Sequence, residues 1–163
     1  MARPTPGEAR QRIVEIIGSS VYHALGLKES LEDERKALAA QDIDALNRAI
    51  DNKSRCVATL QTLEQDRRRL CSISGHGEAI DHMQQMMAWC DEDSVVANSW
   101  EQLMVIATEC STLNMTNGAI IRVRKEQIES SLSVLRGGAP GTEIYGRDGT
   151  GSNSMSQRSL AEA

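Results

Sequence analysis

A helical periodicity runs unbroken for some forty residues near the C-terminal end of this chain, and it limits the fold more than any other feature. From Ser94 to Leu135 the residues Trp100, Leu103, Ala107, Cys110, Asn114, Asn117, Ile121, Arg124, Ile128, Ser131 and Leu135 recur at steps of three and four. Such steps return to one side of a helix. A near-heptad run of this length needs partner helices beside it. At 1.5 Å per residue it spans roughly 60 Å. Gly137, Gly138, Pro140 and Gly141 then stop it, because glycine ends helices and proline cannot continue one.

Asn117-Gly118 is a turn signal in other settings. Here the spacing continues across it, and the flanking residues lack the alternation of a hairpin, so the pattern predicts continuous helix. Asn114 and Asn117 then lie in a packed seam and need hydrogen-bond partners. A buried amide left unpaired costs about 1–3 kcal/mol.

Partner helices are present upstream. Residues 8–41 carry Ile13, Ile16, Ile17, Val21, Ala24, Leu27, Leu31 and Leu38 on one stripe. Gly26 interrupts that stripe; it is either a tolerated glycine or the mark of a close helix crossing. Residues 43–72 carry Ile43, Leu46, Ile50, Lys53, Val57, Leu60, Leu63, Arg67 and Leu70, with Asp42 placed to cap the helix. Lys53 and Arg67 in this seam are expected to lay methylenes on apolar surface and keep their charge at the edge. Asp66-Arg67-Arg68-Arg69 reads as a solvated face. The short break between the two helices implies an antiparallel hairpin. After the loop Ser72–Gly77, a shorter helix over 78–90 carries Ile80, Met83, Met86, Met87 and Trp89. These methionines read as core filling, with an adaptable binding surface as the alternative. Asp93 or Ser94 is placed to cap the last helix, one part of which is expected to overhang the hairpin or pair with the short helix.

The expected fold is therefore all-α: an antiparallel bundle of three long helices plus one short helix, with a flexible C-terminal tail. Its divisions are a loose N-terminus over 1–7, a bundle over 8–136 and a tail over 137–163. The larger apolar side chains of the tail are Ile144, Tyr145, Met155 and Leu160, whose full burial yields at most about 6–12 kcal/mol. Ordering some 25 residues of backbone costs about 1–2 kcal/mol each. The tail is thus expected to be disordered unless a partner orders it.

Composition narrows the function classes. The chain has two Trp, two Tyr and no Phe, so its core must be aliphatic. A net charge of -5 argues against nucleic acid. No apolar run is long enough to span a membrane, and no apolar stretch follows the N-terminal basic residues as in a secretory signal. Cys56, Cys71, Cys90 and Cys110 match no zinc spacing, and His76 and His82 are not one helical turn apart; the thiols read as reduced and small-apolar. No catalytic motif, cofactor site or metal site is found. What remains is a helical chaperone or adaptor, a structural coiled coil or a helical sensor module.

Three stretches together resemble the FlgN family of flagellar export chaperones. The first is Leu31 to Leu38, leading through Asp44-Ala45-Leu46 and Lys53 to Leu60-Gln61-Thr62-Leu63-Glu64. The second is Leu113-Asn114 with Asn117-Gly118 and the helix ending at Leu132 to Leu135. The third is Tyr145-Gly146-Arg147-Asp148-Gly149 with its polar tail. The resemblance covers the chain from about Ile13 onward. It implies a cytoplasmic, non-enzymatic chaperone that holds the terminal helices of hook–filament junction proteins (FlgK and FlgL type). It further implies transient work at the membrane export apparatus, through an FlhA-type gate component and the export ATPase complex. A filament-cap or flagellin chaperone is the alternative cargo reading, and a structural coiled-coil adaptor the alternative class. Homodimer formation is left open. The resemblance places cargo contact on the distal last helix and the tail, and gate docking on the motif tyrosine. The corresponding residues are Asn117, Ile121, Arg124, Ile128, Leu132 and Leu135 for cargo, and Ile144, Tyr145, Gly146 and Asp148 for the gate. The residues agree with the cargo part: Ile121, Ile128, Leu132 and Leu135 form a stripe suited to receive an amphipathic helix. A lone aromatic such as Tyr145 is a suitable anchor.

Overall fold

The computed structural model describes residues 3–136, except for the side chain of Asp81. Helix α1 spans Pro6–Ala40. Thr5 starts it: the Glu8 N–H donates to the Thr5 hydroxyl at 3.4 Å, and the Thr5 N–H donates to the Glu8 carboxylate at 2.9 Å. Pro6 follows in the first turn, where its missing N–H goes unneeded. The helix begins earlier than the apolar pattern suggests, and the Thr-Pro-Gly-Glu capping box was the signal for it. Gln41 takes a left-handed φ of 59°, and Asp42 then caps α2 by accepting from the Ala45 N–H at 2.9 Å. Helix α2 spans Ile43–Ile73.

The next segment departs from the expected single helix over 78–90. Gly75 and Gly77 have φ of 82° and 76°, a region that L side chains avoid. A 3-10 turn over Ile80–His82 follows, and then α3, Met83–Cys90. Helix α4 spans Val95–Leu135 without a break at Gly118, as the periodicity requires. Ser94 precedes it, its carbonyl accepting from the Asn98 N–H at 3.0 Å, but the side chain that caps the helix is that of Asp91. Both oxygens of its carboxylate serve, accepting from Val96 N–H at 3.1 Å and Ala97 N–H at 2.8 Å. Asp93 instead pairs with Arg10 on α1, and Ser94 is held at a φ of 60°. No strand occurs among the described residues, and none of their helices is long and apolar enough to cross a membrane.

Helices α1 and α2 pack antiparallel, and α4 returns beside α1 in the same direction as α1. Cys110 donates to the Ala24 carbonyl at 3.6 Å and Asn117 to the Leu31 carbonyl at 2.8 Å; both pairs are 86 residues apart, so the two helices keep register. One core cluster gathers Ala9, Ile13, Ile17, Leu70, Cys71, Met83, Met86, Cys90 and Val96, and the other Ala24, Leu31, Ile106 and Cys110. Met83 and Met86 are wholly buried, so they fill the core. Gly26 is a tolerated glycine: a Cβ there would stand 3.4 Å from Cys56 Sγ on α2, an ordinary van der Waals contact.

Three details of the seam differ from the expected stripes. On α2, Ala49 is buried while its neighbour Ile50 is exposed, as is Ile43 at 71%. On α4, Ile106 is buried and Leu113 and Ile120 are half-buried, whereas Ala107, Asn114 and Ile121 are exposed. Adjacent residues differ by 100° around a helix, so which of two apolar neighbours turns inward is set by the partner helix and not by the spacing. The third concerns Arg67, whose charge is not at the edge. The residue is buried, with Nε and Nη2 each 2.8 Å from the Glu64 carboxylate. Its guanidinium lies 5.6 Å from the Trp100 ring centroid. Only Asp66, Arg68 and Arg69 of that cluster are exposed.

The chain divides into two compact units, Met1–Arg124 and Lys125–Ala163. The described part of the second is the end of α4. Residues 137–163, with the expected helix stop and the tail, lie outside the described residues.

Candidate functional site

The six residues expected to contact cargo fall into three environments. Asn117 is 1% exposed and belongs to the interior of the bundle. Its Nδ2 donates to the Leu31 carbonyl and to a Glu34 carboxylate oxygen, both at 2.8 Å. Glu34 is itself buried on α1 and meets Lys53 of α2 at 3.3 Å. This node joins all three long helices through one amide and one ion pair. It supplies the acceptors that the amide nitrogen needed, while Asn117 Oδ1 has no hydrogen-bond partner among the described residues; Asn114 is exposed and needs none. Arg124 is half-buried.

Ile121, Ile128, Leu132 and Leu135 are exposed, Ile128 at 61% and Leu135 at 82%. Every residue from Lys125 to Arg136 is exposed, so this end of the helix is held by its own backbone bonds and by pairs such as Lys125–Glu129 at 3.7 Å. Val123 and Val134 add further exposed apolar surface. Apolar residues that face water along one side of a helix can receive another apolar helix face. Ile144, Tyr145, Gly146 and Asp148, the expected gate-docking residues, lie outside the described residues.

Other groups of chemical interest have structural settings. Glu64 accepts from Arg67 and also from Arg68, the latter at 2.7 Å. The Arg67 bonds above all, against the opposing effect of burial, hold the Glu64 carboxyl below its ordinary pKa. Burial pushes the thiols of Cys71, Cys90 and Cys110 up, which keeps them protonated and inert. His76 packs against Trp89 with ring centroids 5.1 Å apart and planes inclined by 53°. Burial first, then the Arg3 charge and His82, lowers its pKa. No group of three or more metal-ligating side chains occurs among the described residues. Tyr22 is highly exposed beside an open groove between α1 and α2.

The described residues form an all-helical bundle whose longest helix carries an exposed apolar stripe. The FlgN protein family matches over residues 11–153, and the chain belongs to that family. It is accordingly a flagellar export chaperone. No curated protein and no solved structure matches the chain.

Proposed function

We propose that this chaperone binds the terminal helical segments of hook–filament junction proteins of the FlgK and FlgL type in the cytoplasm. It prevents their early assembly and brings them to an FlhA-type component of the export gate. The exposed apolar stripe Ile121, Ile128, Leu132 and Leu135 carries this reading. Burying a large aliphatic side chain contributes about 1.5–3 kcal/mol, so four such positions supply ample drive for a partner helix. The cost of ordering the partner takes back part of that. Membership of the FlgN family supports the flagellar setting. Tyr145 is the proposed gate contact, with Ile144, Gly146 and Asp148 beside it.

Calorimetric titration with purified junction proteins, with and without their terminal segments, tests the reading. Saturable binding is expected, lost when the cargo's terminal helix is removed. Ile128→Asp should weaken it about tenfold or more, the loss of about 1.4 kcal/mol or more. Tyr145→Ala should leave cargo affinity unchanged and weaken gate binding. An absence of binding to either junction protein would redirect the reading to the cap protein or flagellin.

A further inference from the structure

Protein interiors are close-packed and leave few voids larger than a water molecule. One cavity of about 170 Å³ departs from that rule. Its apolar wall includes Ile17 of α1, Leu60 and Leu63 of α2, and Trp100, Leu103 and Met104 of α4. Ile17 is buried and the other five are half-buried. Ile80 of the 3-10 turn and Ala107 of α4 also line the cavity and are exposed, so they form its rim.

Ser20, Glu64 and Arg67 also line the cavity, and each is engaged within the protein. The Ser20 hydroxyl donates to the Ile16 carbonyl at 2.7 Å. Besides its bonds to Glu64, Arg67 donates to the Glu78 carbonyl at 3.3 Å and, through Nη1, to Cys71 Sγ at 3.8 Å. The Glu64 carboxylate accepts from Arg67 and Arg68. Acid and base cancel, so the wall has no net charge to hold an ion. A water in such a place needs about two to four polar partners, and these are taken. An apolar group needs none; a dry apolar cavity of about 150 Å³ in another protein takes up benzene. The occupant that suits this cavity is therefore uncharged, apolar and about the size of a phenyl ring. Met104 is unbranched and adaptable, so the wall can adjust between an aliphatic and an aromatic group. Ile80, 54% exposed, offers apolar surface beside the opening to whatever carries that group.

We propose that this cavity is an anchor pocket for one leucine or phenylalanine side chain of the client protein. The inference rests on the chaperone reading above. It adds a site that the exposed stripe does not require, since Ala107 lies roughly 20 Å before Ile121 along α4.

Toluene is the probe for the pocket, and the junction protein tests its use. Toluene should raise the melting temperature of the full chain saturably, because it binds the folded state. Ser20→Leu, which fills the cavity from α1, and Ala107→Leu, which narrows it from the rim, should each abolish that rise. Ala107 is exposed on α4, so its variant keeps the fold even where Ser20→Leu does not. In calorimetric titration both variants should bind the junction protein about tenfold more weakly or worse. Saturating toluene should weaken binding by the wild-type chain likewise. No saturable toluene effect on the wild-type chain overturns the pocket. A toluene effect that Ala107→Leu abolishes, with junction-protein affinity unchanged, assigns the cavity to a free apolar molecule and overturns the anchor role. Loss of affinity in Ile128→Asp beside unchanged affinity in Ala107→Leu overturns the anchor role alone and leaves the chaperone reading standing. Failure of the wild-type chain to bind the junction protein overturns that reading, and the anchor role falls with it.

Discussion

Replacing Asn117 by alanine tests the polar node most directly. The amide donates two hydrogen bonds of 2.8 Å, one to the Leu31 carbonyl and one to the Glu34 carboxylate. A bond to a charged group contributes about 1.5–3 kcal/mol and one to a neutral carbonyl about 1 kcal/mol. Removal also leaves a small void and a buried carboxylate supported by Lys53 alone. The expected loss is about 2–4 kcal/mol, or a fall in Tm of about 5–15 °C at this chain length. Urea denaturation followed by circular dichroism measures it. Asn117→Asp sharpens the test, since it sets a second carboxylate against Glu34. Like charges some 4 Å apart repel by about 4 kcal/mol at an effective dielectric constant of 20. That variant should therefore be less stable than Asn117→Ala at pH 7 and recover toward it at pH 5, as one carboxyl takes a proton. A double-mutant cycle with Glu34→Ala should return a coupling of about 1 kcal/mol or more. A loss under about 0.5 kcal/mol for Asn117→Ala, with no coupling to Glu34, would refute the argument that this amide ties the three helices together.

Two further predictions concern the loop before α3. Gly77→Ala should cost about 1–3 kcal/mol, because φ there is 76° and the new Cβ would stand 2.4 Å from His82 Nδ1; Gly26→Ala should instead be neutral or gain up to about 1 kcal/mol, and equal effects from the two in thermal melts would contradict the backbone assignment. Since burial lowers the folded-state pKa of His76, its contribution to stability is complete above the unfolded value of about 6.5 and is lost as pH falls below it. Urea midpoints of the wild-type chain should decline between pH 7.5 and 5.5, and His76→Gln should flatten that slope.

Much of the bundle was legible because helix formation is local. The steps of three and four residues along α1, α2 and α4, the Asp42 cap and the continuity of α4 through Gly118 all follow from neighbours in the chain. So does the antiparallel hairpin, since a link of Gln41 and Asp42 leaves two long amphipathic helices no other way to cover each other. The Thr5–Glu8 capping box was present in the residues and marks the start that periodicity alone placed late. Exposure of Ile128, Leu132 and Leu135 was only half legible. The stripe is visible in the sequence, but the same stripe would serve to close a bundle.

Tertiary structure decided everything that depends on which helix lies opposite. Spacing could not choose between Ile120 and Ile121, or between Ala49 and Ile50, because each pair differs by 100° and either member continues an apolar stripe. The partner helix chose, leaving Ile121 and Ile50 in water. Arg67 reads as a surface charge until Glu64 and Trp100 surround it. Asn117 reads as a cargo contact until Glu34, 83 residues away, meets it. The sequence by itself determined the three long helices, their approximate lengths and the aliphatic character of the core, because those follow from propensity and periodicity along the chain. Only packing determined which polar groups are buried and which apolar ones stay exposed, because burial depends on residues distant in sequence.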